Sequence, residues 1–385
     1  MYYFDLFRSL YGVEGFVLAA LALLLFVLQA ARYLRFGRLA GYTNNRRRAI
    51  RPETPPVSVI VPMFTEDYGF IEERLPLLLH QQYAAFEVII VYVGQNGDFH
   101  EELLRLRDNY PHLYISRIHF DPRRPISRKM ALNIGIKSAH NDCLLFTSTD
   151  VVPRSDRWIA LMAKGFERGD IVIGYCGLEL TRGLANRLIR TDRMMESADW
   201  LSRAAVGEPH RGILHNFGFT KGLYFDKRIN GFNYLNMNIG EDDLFLQEVM
   251  TRKNVSTILS PKASVEQRAW GGLGWWLREE SYYGAAARFY PRGVRWGRWA
   301  ELLTRVLFFA VAVWAFVRMP WSFAAAIAGL LVLRYLLVLF VVRRIARRLG
   351  ERRMARFYFL YDLTSPLWAL LLGLVSLRKD GRVWR

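Results

Sequence analysis

Short apolar runs and longer helix-length stretches alternate through the middle of the chain, and long apolar runs stand at both ends. Residues 57–61, 86–93, 113–119, 143–147 and 171–175 are rich in valine, isoleucine and aromatics and are bounded by polar residues, which predicts buried strands. Between them, 72–82, 99–109, 128–139 and 154–167 are long enough for helices, and a longer helix is expected over about 183–205. Alternation of this kind predicts an α/β fold, a largely parallel sheet with crossover helices.

The first long apolar run, 15–31, lies near the short end of what crosses a bilayer. Only Arg8 precedes it, Glu14 abuts it, and Arg32, Arg35, Arg38, Arg46, Arg47, Arg48 and Arg51 follow. A cleavable signal peptide, the alternative, wants basic residues before the run and a small-residue cleavage site after it. The pattern therefore predicts an uncleaved anchor with its C-terminal end in the cytosol. Three further runs, 306–317, 322–342 and 357–377, follow near the C-terminus. Arg334 and Asp362 fall inside two of them, where a charge is costly unless paired, so the two are expected to meet. Four crossings would put the C-terminus outside, yet Arg378, Lys379, Arg382 and Arg385 favour the inside. Either one segment, such as the last with its Pro366, dips in and returns, or the charge rule is broken.

Charge adds one decision. The formal net charge of +18 would suit a nucleic-acid binder, but much of it is arginine beside apolar runs, the last group being Arg343, Arg344, Arg347, Arg348, Arg352, Arg353 and Arg356. That placement fits membrane flanks and anionic lipid headgroups and argues against nucleic acid as a partner. Between 266 and 300, Trp270, Trp275, Trp276, Trp296 and Trp299 interleave with Arg278, Arg288, Arg292, Arg295 and Arg298, a mix suited to a helix lying in the headgroup layer. The two cysteines, Cys143 and Cys176, sit in strand-like runs and imply neither a disulfide framework nor a metal cluster. The chain thus divides into a membrane anchor (1–38), a basic linker (39–56), an α/β domain (57–265), an interfacial segment (266–300) and a C-terminal membrane region (301–385).

Five ordered stretches carry the chemistry: PPVSVIVPMFTED from Pro55, FEVIIVYVGQNGD from Phe86, SRKMALNIGIKSAHNDCLLFTSTDVVP from Ser127, HNFGFTKGLYFDKRINGF from His215 and NIGEDDLFLQEVM from Asn238. Cations at a helix start, Arg128 and Lys129, suit a diphosphate, because exposed N–H groups and positive side chains both stabilise negative charge. Asp150 follows a predicted strand, where a lone aspartate before a proline is by itself an ordinary turn residue. Glu241, Asp242 and Asp243 open a helix; acids are favoured in a first turn, but three in a row exceed what capping requires and offer a general base. No Ser/His/Asp triad, zinc spacing or Walker loop is present in the sequence.

In their order these stretches resemble family 2 glycosyltransferases of the GT-A fold, in the membrane-bound bacterial branch, over some 230 residues from Val57 to about Tyr290. The resemblance implies a nucleotide-diphospho-sugar donor, a Mg2+ or Mn2+ cofactor, and direct displacement with inversion onto a glycan or lipid-linked acceptor at the cytoplasmic face of the inner membrane. It places Pro62, Thr65, Glu66, Asn133 and the start of the second strand's turn beside the donor, and Asn216 on the acceptor side. It makes Asp242 the base, with Glu241 orienting the acceptor and Asp243 in reserve. The chain departs from the pattern in three places. Tyr92 and Val93 stand where two aspartates usually read the base, leaving Asn96 and Asp98 to supply hydrogen bonds. Ser148 replaces the first aspartate of Asp-x-Asp, so Asp150 alone is the metal ligand. Counting from Trp276, no Gln-x-x-Arg-Trp motif appears, which disfavours a processive polymerase, although Trp276 and Arg288 are still expected to line the acceptor side. The rival reading is a non-catalytic scaffold or sugar-nucleotide sensor built on the same fold.

Overall fold

The computed structural model describes residues 2–43, 54–119, 126–226, 243–351 and 353–377, with side chains from Leu10 to Ser376. Strands β1 (Val57–Met63), β2 (Phe86–Val93), β3 (Leu113–Ile118) and β4 (Cys143–Phe146) pair in parallel in the order β3-β2-β1-β4. All of β1 and β4, and β2 after its first residue, are buried, as continuous apolar runs in a sheet covered on both faces should be. Helices α2 (Leu75–Leu79), α3 (Gly97–Asn109) and α4 (Arg128–Ser138) lie between these strands in the chain. Gly135 lets α4 sit close on the sheet, because a Cβ there would fall 2.5 Å from Ile60 Cγ2 and 3.2 Å from Val91 Cγ2. The chain winds outward from β1 to β3 and then crosses back to β4. In an open sheet of this order, the place where a ligand crevice is expected is therefore beyond the C-terminal ends of β1 and β4.

The second half was less visible in the sequence. After β5 (Val151–Pro153) come α5 (Trp158–Phe166), β6 (Ile171–Gly174), β7 (Cys176–Leu178), α6 (Leu184–Val206), β8 (Phe217–Thr220), α7 (Lys221–Tyr224), α8 (Leu244–Val249), β9 (Val255–Ile258) and β10 (Val265–Gln267). β8 runs antiparallel between β4 and β6, and β9 closes the edge parallel to β6. β10 forms a small second sheet between β5 and β7. That sheet sets residues 150–151 beside Gln267, since Gln267 pairs with Val151. The helix expected over 154–167 starts only at Trp158. The one expected over 72–82 begins as a π-helical turn, Phe70–Arg74, before α2.

Four helices are long and apolar enough to cross a membrane: residues 10–40 of α1 (Tyr2–Ala40), α10 (Arg292–Arg318), α11 (Trp321–Arg348) and residues 358–376 of α12 (Tyr358–Leu377). Residues 292–300 are the first turns of α10 rather than part of a separate interfacial segment. The rest of that segment is α9 (Leu273–Ala287), whose Trp276, Glu280, Ser281 and Tyr283 are buried, so it is a packed helix and not a free surface one. Arg334 of α11 and Asp362 of α12 meet in a two-pronged ion pair at 2.6 and 3.1 Å, and Arg334 also donates to Gln29 of α1 at 2.6 Å. The charge each would otherwise expose to lipid is thereby matched.

A second buried cluster ties the membrane helices to the sheets. Glu351, fully buried just past α11, accepts from Arg154 at 2.7 Å, Arg190 at 2.5 Å and the Tyr175 hydroxyl at 2.9 Å. Arg154 also donates to Glu266 and to the Leu349 carbonyl. The small sheet of β5, β7 and β10, together with α6, is thus fixed to the end of α11.

Candidate active site

The loop from β4 to β5 brings Ser148, Thr149 and Asp150 to the crevice. Arg74 holds it from behind, donating from Nε to the Thr149 carbonyl at 2.9 Å while pairing with Asp67 at 2.5 Å. The Asp150 carboxylate accepts from the Ser148 hydroxyl at 2.5 Å and from Gln267 Nε2 at 2.8 Å. Arg193, buried in α6, donates to Gln267 Oε1 and fixes which way that amide faces. His215 Nε2 stands 3.9 Å from Asp150 Oδ1. Burial opposes ionisation of Asp150, but His215, the Ser148 and Gln267 hydrogen bonds and Arg128 outweigh it and hold the carboxyl below its usual range. His215 is itself pushed down, by burial first and then by Arg193 and Arg128 against the pull of Asp150. At neutral pH the site therefore presents the Asp150 carboxylate beside His215.

The helix start expected to hold a diphosphate faces the same space. Ser127 caps α4, its side chain accepting from the Met130 N–H, and Arg128 and Lys129 follow at once. The Arg128 guanidinium lies 5.9 Å from the ring of Tyr282 on α9, and its charge is felt at both Asp150 and His215. Asn133 Oδ1, Thr147 Oγ1 and His215 Nδ1 are buried around this crevice without a hydrogen-bond partner among the described residues. Buried polar atoms are seldom left so unless a ligand or water completes them.

Beyond β1, Pro62 is buried and Thr65 exposed. Glu66 accepts from Asn96 Nδ2 at 2.8 Å and from the Tyr92 hydroxyl at 3.3 Å. Asn96 also caps α3 through Oδ1, and Asp98 is an exposed residue of its first turn. The Tyr92 ring, fully buried, occupies the position where an aspartate was expected. Tyr92 and Asn96 are thus engaged with Glu66, which leaves Glu66 and Asp98 as the acidic groups at this corner.

On the acceptor side the structure redistributes the roles. Asn216 is fully buried and every polar atom of its amide is used: Nδ2 donates to the carbonyls of Tyr175 and Ala263, and Oδ1 accepts from Trp158 Nε1. It joins β-strand ends and has no face for an acceptor. Asp243 is likewise buried, with Oδ1 accepting from the Leu244 N–H at 2.8 Å and Oδ2 from the Tyr290 hydroxyl. That carboxylate caps α8 and pins Tyr290, which removes it as a reserve base. Trp276 is core, packed edge-on against Trp368 of α12, with ring centroids 5.8 Å apart. Arg288 caps the far end of α9, its Nε donating to the Ala285 carbonyl. Phe225, in the same stretch as Asn216, is half exposed. Glu241 and Asp242 lie outside the described residues.

Below the crevice, α6 and α9 enclose a group of buried acids and arginines. Glu196 accepts from Arg211 and Arg298, both at 2.6 Å, and although burial works against it, these two arginines bring its carboxyl down to about 2. Glu280 stands 3.9 Å from Arg193; burial first, then the charge of Glu196, pushes its carboxyl up to about 8. Asp192 is raised to about 7 by burial and Glu196, despite a 3.0 Å hydrogen bond from Tyr361. One side of the group is therefore ionised and the other holds protons at neutral pH.

Among the described residues, no three or more His, Cys, Asp or Glu side chains come together as a metal cage. A cation shared with a diphosphate needs less, since one or two protein carboxylates plus phosphate oxygens suffice for Mg2+-like ions. The ionised Asp150, with His215 beside it and its Nδ1 without a hydrogen-bond partner among the described residues, fits that smaller demand. His215, Gln267 and Arg193 were not found from the sequence, because each belongs to an element far along the chain from Asp150. Gln267, Arg268 and Trp270 fall one residue short of Gln-x-x-Arg-Trp, so the motif did not single Gln267 out.

Residues 58–220 match the family model described as glycosyl transferase family 2. The matched stretch runs from β1 to β8 and takes in Arg128, Lys129, Ser148 and Asp150. No curated protein matches the chain by sequence. Among solved structures, the chain is similar to the mannosyltransferase PcManGT from Pyrobaculum calidifontis, in complex with GDP-Man and Mn2+, at 16% identity and a TM-score of 0.57, covering 94% of this chain and 99% of that one. S. aureus TarS 1-349 in complex with UDP-GlcNAc matches at 17% identity and a TM-score of 0.41, covering 83% of this chain and 80% of that one. The PcManGT likeness is one of fold, a GT-A-like sheet with flanking and membrane-length helices.

Proposed function

We propose, from a chain that carries a family 2 glycosyltransferase domain over residues 58–220, that it moves a sugar with inversion from a nucleotide-diphosphate donor to a lipid-linked or envelope-glycan acceptor at the membrane surface. The observation that carries this reading is the convergence on one crevice of an ionised carboxylate, Asp150, and the cationic start of α4. A diphosphate is the ligand such a pair suits, bound by N–H groups and Arg128 and Lys129 on one side. On the other side Asp150, with His215 beside it, would hold a divalent ion, which when bound supplies positive charge to the departing diphosphate. The solved mannosyltransferase of the same fold carries GDP-mannose and Mn2+, which makes these the first probes to try. Gln267, anchored by Arg193, keeps the Asp150 carboxylate facing the crevice. The proton of the acceptor hydroxyl would pass to Asp242, assigned by the motif that opens α8, with Glu241 orienting the acceptor.

The membrane arrangement follows from charge and packing. Arginines after α1 and at the end of α11 put both ends, and the catalytic domain, in the cytoplasm. α12 starts against the cytoplasmic end of α1, where the Tyr33 and Tyr358 hydroxyls are 2.5 Å apart, and it then runs along α9. Its Ser376 is so close to Gly284 that a Cβ on that glycine would meet Ser376 Cβ at 3.0 Å. Both ends of α12 thus touch cytoplasmic elements, which favours three crossings with α12 lying in the interface, its exposed Leu363, Leu367, Leu370 and Leu374 turned to lipid.

The test is transfer from GDP- and UDP-sugars to membrane lipid extract by the purified protein. Asp242→Asn should leave donor binding intact and lower turnover by about a hundredfold or more, the range for loss of a general base. Unchanged transfer by that variant would remove Asp242 from the role. Donor binding without transfer to any extract would instead support the scaffold or sensor reading, which the altered Tyr92, Val93 and Ser148 positions leave standing.

A further inference from the structure

A cavity of about 350 Å³ lies where α1, α6 and α10 meet, away from the donor crevice. Its lining includes Arg32 and Arg35 of α1, Arg203 of α6 and Arg305 of α10, with Glu301 as the only acid among the lining residues. Arg203 and Arg305 are more than nine-tenths buried. The arginines are held in place by neighbours: Arg35 and Arg203 reach Asp199 at 2.8 and 3.4 Å, Arg32 reaches it at 3.6 Å and also pairs with Glu301, and Arg305 reaches Glu301 at 2.6 Å. Arg305 also reaches Asp362 at 3.5 Å and Arg203 reaches Glu208 at 3.9 Å, so the arginines outnumber the acids only among the residues that line the space itself, four to one. The Nε atoms of Arg32 and Arg35 are buried with no hydrogen-bond partner among the described residues. Two unpartnered guanidinium N–H groups in an electropositive cavity ask for an anion with oxygen acceptors.

Position says where the anion comes from. Leu28 and Ala31 line the same cavity, and Leu24 and Leu28, about half exposed, continue up the lipid-facing side of α1. Trp296 and Trp299, 72% and 60% exposed, flank the lining residue Gly297 on α10, at the level where aromatic residues mark the headgroup layer. The space is also about ten times the volume of one water, roughly 30 Å³, so a bare phosphate would leave most of it empty. We infer that this cavity binds the headgroup of an anionic phospholipid from the cytoplasmic leaflet, its phosphodiester on Arg32 and Arg35 and its acyl chains along Leu24 and Leu28. The inference rests on the membrane placement proposed above and not on the transfer reaction. Arg203 and Asp199 belong to α6, so the lipid would fasten the catalytic domain to the bilayer.

The test uses the full chain, purified in a neutral detergent and stripped of lipid. A requirement for detergent checks the membrane placement by itself. Thermal unfolding is followed with added short-chain phosphatidylglycerol, short-chain phosphatidylcholine or inorganic phosphate. The inference predicts a rise of about 3 °C or more with phosphatidylglycerol alone, from preferential binding to the folded state. Arg35→Gln should abolish most of that rise. Because Arg35→Gln also unpairs Asp199, Ala300→Phe serves as a second variant that narrows the cavity and keeps every charge; it too should lose the rise while unfolding at the parent temperature without lipid. An equal rise in both variants would place the lipid elsewhere and overturn the inference. A rise with inorganic phosphate that matches phosphatidylglycerol would make this a soluble-anion site and overturn the lipid assignment.

Discussion

In the proposed donor site a single acid, Asp150, stands where the family pattern has two. Ser148, in the place of the other, donates a hydrogen bond that steadies the remaining carboxylate, and Gln267 supplies a second. Hydrogen bonds to the charged form of a carboxyl favour that form. Glu280, a few side chains away, is the opposite case, an acid kept protonated by burial and by the negative Glu196. Its carboxyl titrates near 8 in the fold against 4.5 in a free chain, so between those values the folded state holds the extra proton. Stability should therefore fall as pH rises through that window. Glu280→Gln, which cannot ionise, is expected to flatten the dependence of the melting temperature between pH 5 and 8, as read by a series of thermal scans at constant ionic strength. An unchanged slope would mean that another group, such as Asp192, carries the linkage.

At the scale of elements, strands β1 to β4 and the helices between them were legible because each is a continuous apolar run or a full helical period, and those patterns depend only on local residues. Of the later strands, three or four residues long, only β6 was expected from its apolar run. β5, β7 and β10 are too short to show a period, and their identity comes from partners distant in sequence, such as Gln267 with Val151. The same distance hid His215 and Gln267, and it hid that Asn216 and Trp276, expected on the acceptor side, are buried, Asn216 with its whole amide bonded and Trp276 packed on Trp368. The pairing of Arg334 with Asp362 could be expected because a charge in lipid has few alternatives. For α12, length and hydropathy suggested a crossing, whereas its packing against α9 and Tyr33 argues for the interface. A fluorescent protein fused to the C-terminus should accordingly be bright and cytoplasmic, and a periplasmic alkaline phosphatase fusion at the same point inactive. An active phosphatase would restore the fourth crossing.

For the molecule as a whole, the membrane-length helices and the α/β domain are tied together because Glu351 sits unexposed between Arg154, Arg190 and Tyr175. Removing one partner of a buried ion cluster leaves uncompensated charge, worth about 3–5 kcal/mol. Glu351→Ala is thus expected to unfold at a markedly lower temperature and to lose transfer activity, although it lies at the end of α11 and away from Asp150; wild-type stability would refute the tie. All of this serves one claim, that the crevice at the ends of β1 and β4 binds a nucleotide diphosphate against Asp150. Calorimetric titration of GDP and UDP, with and without Mn2+, into the wild-type protein and Asp150→Asn tests it most directly. The account predicts that one nucleotide binds the wild type in the presence of Mn2+ and that Asp150→Asn weakens it by at least about tenfold, or about 1.4 kcal/mol. Equal binding by both proteins, or none by the wild type, would contradict it.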